Sequence, residues 1–141
     1  MKPIGVLMSE VVESATLAGK NVLNELKSRG PAYTVHDELN DNKCVGTMLD
    51  VCGGASISLD GRSKLVKSIR KNIPFDSVYN EWTNEGIRNW VMYKGCSDYR
   101  LIIITSNHRQ EMSVNVAECN AAVKTLKDNG YDGVELRSWI D

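Results

Sequence analysis

The sequence predicts a single α+β domain over residues 1–141, with a mostly antiparallel sheet, an N-terminal helix, a short basic central helix and a C-terminal helix. Apolar residues recur at helical spacing over residues 9–29 and 112–129, near the two ends of the chain. Apolar stretches of strand length stand between and after these segments. Two of the stretches, residues 87–93 and 99–105, flank a short polar turn and predict a β-hairpin.

Composition excludes several classes of protein. The net charge of −1, from 17 basic and 18 acidic residues, argues against duplex nucleic acid as a partner, because duplex-DNA binders usually carry a basic excess. The sequence contains no run of about 18 apolar residues, so we expect no membrane span. Residues 1–7 lack the apolar core of a secretory signal, and we therefore expect a cytoplasmic protein.

The cysteines and histidines do not form a recognisable metal motif. No pair of cysteines has C-x-x-C spacing, and the two histidines are far apart in sequence. We therefore predict no metal and no cofactor, and reduced cysteines that pack as small apolar residues. The residues concerned are Cys44, Cys52, Cys96, Cys119, His36 and His108.

The first helix, residues 9–29, has early acidic and late basic residues, which suits the helix dipole. Gly30-Pro31 predicts its end. Ala15 and Gly19 would allow a neighbour to approach closely, either within the chain or across a subunit interface. The apolar face consists of Met8, Val12, Ala15, Gly19, Val22 and Leu26.

The elements predicted for the next part of the chain are all short. Residues 32–37 predict a strand and residues 38–43 a polar loop. Residues 45–50 are ambiguous, and we expect them to lead extended into the strand 51–59. The turn signal Asp60-Gly61 then precedes the basic helix.

The basic helix is predicted over residues 61–72 and ends before Pro74. Its face of Lys64, Lys67 and Lys71 fits either a solvated surface or a patch that meets phosphate groups. We predict an exposed aromatic loop over the residues that follow, 75–85.

The last third of the chain begins with the most apolar strand, residues 99–105, which we expect to be central in the sheet. The final helix is apolar on two sides and needs cover on both, for which a partner subunit is one candidate. Asn129-Gly130 predicts its end, and residues 133–138 predict the last strand.

Aromatic, guanidinium and amide side chains suggest nucleotide binding. Nucleotides need an aromatic face for the base, guanidinium groups for phosphates and amides for base edges. We expect two tryptophans to stack the base, three arginines to meet phosphates and two amides to read hydroxyls or base edges. These are, in order, Trp82 and Trp90; Arg109, Arg137 and Arg62; and Asn107 and Gln110.

Enzymatic chemistry has weaker support in the sequence. Cys96 and His108 would be a conceivable nucleophile and base, and His108 alone is compatible with a small nuclease or phosphoesterase. Gly53-Gly54 lacks the context of a dinucleotide-binding or phosphate loop and is typical of close packing. We therefore predict a binding protein and not an enzyme.

Several short motifs follow one another over roughly residues 45–141. They are the strand Cys52-Gly53-Gly54-Ala55-Ser56-Ile57, the basic helix, the strand near Trp90, Gln110-x-Met112, the alanine-bearing last helix, Gly130 and Ser138-Trp139-Ile140-Asp141. In this order the motifs resemble the Thoeris anti-defence family of small phage-encoded proteins.

This resemblance implies a homo-oligomer that sequesters a signalling nucleotide, of the cyclic ADP-ribose or cyclic oligonucleotide type, without cleaving it. It also implies the cytoplasm of an infected bacterium as the location. Helices 9–29 and 112–129 would then build the oligomer. The alternative hypothesis is a phage protein that inhibits a host factor by direct contact, through its apolar last helix and the loop 75–85.

Two positions differ from the family's pattern. Trp139 stands where an arginine is usual, and Gly54 stands where an aromatic residue is usual. Arg137 could substitute for that arginine from a nearby position, but we expect it to point to the other face of the sheet.

Overall fold

The computed structural model describes residues 2–31, 33–37 and 43–140. Within these ranges the predicted α+β class is confirmed, because three helices accompany an antiparallel sheet of six strands. The helices are α1 (Ile4–Arg29), α2 (Lys64–Asn72) and α3 (Met112–Asp128). The strands are β1 (Tyr33–Asp37), β2 (Lys43–Met48), β3 (Gly53–Leu59), β4 (Phe75–Asp76), β5 (Glu81–Thr83), β6 (Trp90–Lys94), β7 (Tyr99–Ile103) and β8 (Val134–Ile140).

The main sheet has the strand order β4-β5-β6-β7-β3-β8, with every neighbouring pair antiparallel. The predicted hairpin is confirmed, because β6 pairs with β7 from Trp90↔Ile103 to Lys94↔Tyr99. β7 is an interior strand, as its apolar sequence predicts. β8 lies at one edge, beside β3.

β1 and β2 form a separate two-stranded sheet. The expectation that residues 45–50 lead extended into the strand at 51–59 is therefore wrong. β2 pairs with β1, and a bend at Leu49 and Asp50 separates it from β3. Most of the predicted loop 38–43 lies outside the described residues.

One hydrophobic core joins the three helices to one face of the main sheet. Buried residues of α1, α2 and α3 pack in a single cluster with Ile57, Leu59 and Leu101 of the sheet. α3 contacts the sheet through β3 and β8 and contacts α1 along its length. The second apolar side of α3 is therefore covered by α1 of the same chain, for which a partner subunit was also a candidate.

Gly19 explains how closely α1 and α3 pack. A Cβ at this position would lie 2.6 Å from Cγ of Glu118 on α3, so only glycine fits there without displacing that side chain. Ala15 is fully buried on the same helix. The small residues of α1 therefore serve packing within the chain.

The helix ends follow the predicted signals. α1 begins at Ile4, earlier than predicted, because Ile4 and Leu7 extend the buried stripe. It ends before Gly30, whose φ of 81° suits glycine. α3 ends similarly, with Gly130 at φ 86° donating its N–H to the carbonyl of Lys127.

The segment 75–85 contains two short strands, so the prediction of an exposed loop is wrong for part of it. β4 and β5 pair with each other, and β5 also pairs with β6. Val78 and Tyr79, in the turn between them, are exposed as expected. The lysine face of α2 is exposed, which fits a solvated surface. No helix among the described residues combines the length and apolar character needed to cross a membrane.

Candidate functional site

The second face of the main sheet is polar. Ile57 and Leu59 point into the core, so the alternating residues Ser56 and Ser58 point away from it. Their cross-strand partners point the same way. We call this side the polar face and define it by Gly54, Ser56, Ser58, Tyr93, Arg100, Glu135, Arg137 and Trp139.

Arg100 and Asp98 organise one part of the polar face. Nε of Arg100 lies 3.1 Å from Oδ2 of Asp98, and its Nη1 donates to Oγ of Ser56 at 3.4 Å. Ser58 donates its hydroxyl proton to Asp98. That hydrogen bond, with the charges of Arg100 and Arg137, holds the pKa of Asp98 below its ordinary value. Asp98 is therefore an anion near neutral pH.

Arg137 lies next to this network on β8. It is the cross-strand partner of Ser56, and its Nη2 donates to Oε2 of Glu135 at 3.4 Å. About half of its side chain is exposed. A guanidinium has five N–H donors, so the contact with Glu135 leaves donors for a ligand.

Trp139 lies across Gly54 on the same face. The two residues are cross-strand partners, and a Cβ on Gly54 would overlap the indole ring. The ring therefore rests on the glycine backbone. Its relative exposure of 49 % leaves ring surface open to solvent. This exposed indole is a platform on which a flat ligand can stack.

Arg137 and Trp139 share the polar face, so the expectation that they point to opposite faces is wrong. Side chains in a strand alternate with a period of two, and these residues are two apart. The register confirms the shared face, because Arg137 pairs with Ser56 and Trp139 with Gly54.

A cleft lies at the other end of the polar face. It has a volume of about 480 Å³. Carboxylates and hydroxyls dominate its wall, and such groups accept or exchange hydrogen bonds with sugar hydroxyls. The lining residues are Ser58, Asp60, Ser97, Asp98, Gly133, Val134 and Glu135.

Trp82 and Trp90, predicted to stack a base, are core residues. Trp90 is 1 % exposed and belongs to the hydrophobic cluster. Trp82 is also buried, with its ring 4.6 Å from the ring of Phe75 and 5.9 Å from that of Tyr99. Neither indole presents a face to solvent, so neither can stack a ligand while the core is intact.

Asn107 is occupied by contacts within the chain. Its Nδ2 donates to Oε2 of Glu118 at 2.9 Å and to the carbonyl of Thr16 at 3.0 Å. Thr105 also donates to the Glu118 carboxylate. Burial raises the pKa of Glu118 above its ordinary value. This buried polar group joins α1, α3 and the segment after β7.

Arg109 is likewise paired within the chain. Its Nε donates to Oε2 of Glu111 at 3.0 Å and its Nη2 to Oε1 at 2.5 Å, a bidentate arrangement. Glu111 is buried at the start of α3. The carboxylate of Asp50 accepts from the N–H of Ser113 at 3.1 Å, so an anion of the chain already occupies this helix end.

Gln110 and Arg62 lie at opposite ends of the sheet. Gln110 is exposed beside the start of β3, where its carbonyl accepts from the N–H of Gly53 and its side chain contacts Cys52. Arg62 is exposed and lines a cavity of about 300 Å³ with Asp60 and neighbouring residues. Of the predicted set, the structure therefore places Arg137 on the same face as Trp139 and Gln110 at the same end of the sheet, and leaves the others elsewhere.

Cys96 and His108 do not form a catalytic pair. Cys96 precedes β7 and His108 follows it, so the five residues of that strand separate them by roughly 17 Å. The described residues hold no group of three or more histidine, cysteine, aspartate or glutamate side chains arranged to bind a metal ion.

Comparisons with models of known protein families, with curated proteins and with solved structures find no match to this chain. The resemblance to the Thoeris anti-defence family therefore stays a prediction.

Proposed function

We propose that this protein binds a nucleotide on the polar face of its sheet and retains it without cleaving it. The observation that supports this is the exposed indole of Trp139, held over Gly54 on the same face as Arg137. An aromatic platform beside a guanidinium supplies what a base and a phosphate require.

The spacing suits a nucleotide. Two residues along a strand are separated by roughly 7 Å, so Arg137 lies within reach of a phosphate attached to a base on Trp139. Arg100 is two strands away from Arg137 and is linked to it through Ser56. Gln110, at the Trp139 end, offers an exposed amide to a base edge.

The carboxylates of this face are suited to binding sugar hydroxyls. Asp98 is held as an anion by Ser58 and Arg100, so it does not supply a proton near neutral pH. Glu135 is paired with Arg137. Both are acceptors for sugar hydroxyls at the cleft end of the face.

The resemblance gives this binding a role. On that basis the ligand is a signalling nucleotide of the cyclic ADP-ribose or cyclic oligonucleotide type. The protein is then a phage anti-defence protein, a homo-oligomer in the host cytoplasm, that removes the signal from its receptor.

A thermal-shift screen tests the proposal. Purified protein is heated with ADP-ribose, cyclic ADP-ribose and cyclic di- and oligonucleotides, and the released ligand is weighed by mass spectrometry. A ligand at 100 times its dissociation constant stabilises the fold by about 2.7 kcal/mol. We expect such a shift with intact ligand recovered, and its loss in Arg137→Gln but not in Arg62→Gln. Turnover of the ligand, or no shift in the whole panel, would overturn the proposal.

A second candidate function is inhibition of a host protein. Val78 and Tyr79 in the β4–β5 turn and Ile87 in the loop between β5 and β6 are exposed apolar residues, with relative exposures of 79 %, 68 % and 71 %. The guanidinium of Arg88 lies 5.6 Å from the Tyr79 ring centre. Exposed apolar groups of this kind favour protein contacts. Val78→Ser with Ile87→Ser would then abolish inhibition and leave nucleotide binding unchanged.

A further inference from the structure

β8 is an unusual edge strand because it is long and regular. It has seven residues and is hydrogen-bonded to β3 on one side. Among the described residues it pairs with no other strand. The opposite edge is β4, which has two residues. A long edge presents a row of backbone donors and acceptors that another strand can pair with.

We propose that β8 pairs with β8 of a second copy of this chain, antiparallel and about a two-fold axis, to join the two sheets into one. The occupant is a second copy because the strand is complementary to itself in charge. Glu135 and Arg137 stand two residues apart on the same face, with one residue between them.

The charges select the register. A two-fold axis sets one residue opposite its own copy. An axis at Glu135 or at Arg137 would bring like charges together. An axis at Ser138 would pair residues 136–140 and leave Glu135 outside. An axis at Leu136 sets Glu135 opposite Arg137 of the second copy, twice, and cross-strand ion pairs of this kind stabilise a sheet.

The remaining positions are compatible with this register. Leu136 is half-buried on the helix side, and its own copy would cover it further. In this register Trp139 extends past Val134, the first residue of the second β8, and the residue before it, Gly133 (φ 72°), has no side chain to collide with the indole. The joined sheet would carry two polar faces on one side. This inference does not rest on the proposed nucleotide binding, although both use Arg137, whose guanidinium has five N–H donors.

A charge-swap series tests the pairing. Sedimentation velocity over a range of concentrations measures the dimer dissociation constant of the unchanged chain, Glu135→Arg, Arg137→Glu and the double variant. We expect each single change to raise the constant about tenfold or more, because it places like charges opposite each other. The double variant recreates both pairs and should restore dimerisation. A monomer at every concentration, or equal effects of single and double variants, would overturn the proposal.

Cross-linking tests the register separately. Cysteine is placed at Leu136 or at Ser138, and a short bismaleimide reagent is added. Residue 136 meets its own copy at the axis, whereas the two copies of residue 138 lie roughly 14 Å apart along the strands. We expect dimer cross-links for Leu136→Cys above the background of the unchanged chain, and none above it for Ser138→Cys. The reverse pattern would contradict the register, and thermal melts confirm that both variants fold.

Discussion

Gly54 and Trp139 are cross-strand partners, and the indole of Trp139 fills the space that a side chain on Gly54 would occupy. In the predicted resemblance to the Thoeris anti-defence family, these are the two positions that differ from the expected pattern. The two differences are related in the structure, because the absence of a side chain at Gly54 leaves the space that the Trp139 ring occupies. An aromatic residue at position 54 and the present indole cannot share that space.

Replacing Gly54 by valine should displace the Trp139 ring. We expect a change in stability within about 1 kcal/mol, because Trp139 is exposed near a sheet edge and valine suits a strand. The freed indole becomes more accessible, so acrylamide quenching of tryptophan fluorescence should increase. Trp82 and Trp90 are buried and contribute a constant background. The same substitution in a Trp139→Phe chain is the control. An equal rise in quenching there would contradict the packing of the Trp139 ring on Gly54.

Arg109→Leu should destabilise the fold by about 1–3 kcal/mol. It removes the bidentate partner of Glu111 and leaves that buried carboxylate unpaired. Urea denaturation measures the loss, and adding Glu111→Gln should recover part of it. If Arg109→Leu is as stable as the unchanged chain and loses ligand, Arg109 is a ligand residue, as the sequence predicts.

We expect Glu118 to make the free energy of unfolding decrease as the pH rises. Its pKa is raised by burial in the folded state, from an ordinary value of 4.5. Between that value and the raised one, the unfolded chain has lost the proton and the folded chain still holds it. The folded state binds more protons there, so its stability decreases as pH rises.

Glu118→Gln isolates this effect. The difference in unfolding free energy between the unchanged chain and the variant should decline through that pH window and be constant below it. Urea titrations from pH 4 upward measure the difference. A difference that is independent of pH would show that Glu118 has an ordinary pKa in the fold.

Trp90→Ala should strongly destabilise the fold, beyond any loss of ligand binding. The indole is 1 % exposed in the core, and truncating such a residue costs about 3–5 kcal/mol. Thermal unfolding followed by circular dichroism measures the loss. The stacking role that the sequence predicts for Trp90 would instead leave the variant folded, and a folded Trp90→Ala chain without ligand binding would support that role.

Local patterns in the sequence suffice for most of the fold. Gly30 and Gly130 mark the ends of α1 and α3 as predicted. The hairpin of β6 and β7 follows from two apolar stretches around a short turn. The three-residue strand β5 gives too short a signal, and its burial depends on rings at Phe75 and Tyr99 that come from other strands.

The candidate site is harder to predict because it depends on pairing between distant strands. Gly54 and Trp139 are far apart in sequence, and nothing local shows that they meet. The alternation Glu135, Arg137, Trp139 is a signal that the sequence does contain, since period two places all three on one face. Asn107 and Arg109 belong to residue types that often contact ligands. Their actual partners, Glu118 and Glu111, can be identified only from the fold.

Isothermal titration calorimetry with the nucleotide that gives the largest thermal shift tests the central claim most directly. The unchanged chain, Trp139→Ala and Arg62→Gln are titrated side by side. Base stacking on an aromatic ring contributes about 1–3 kcal/mol, so Trp139→Ala should weaken binding by roughly 5- to 150-fold. Arg62→Gln should bind as the unchanged chain does. Equal affinity in the unchanged chain and Trp139→Ala would contradict a ligand site on the polar face.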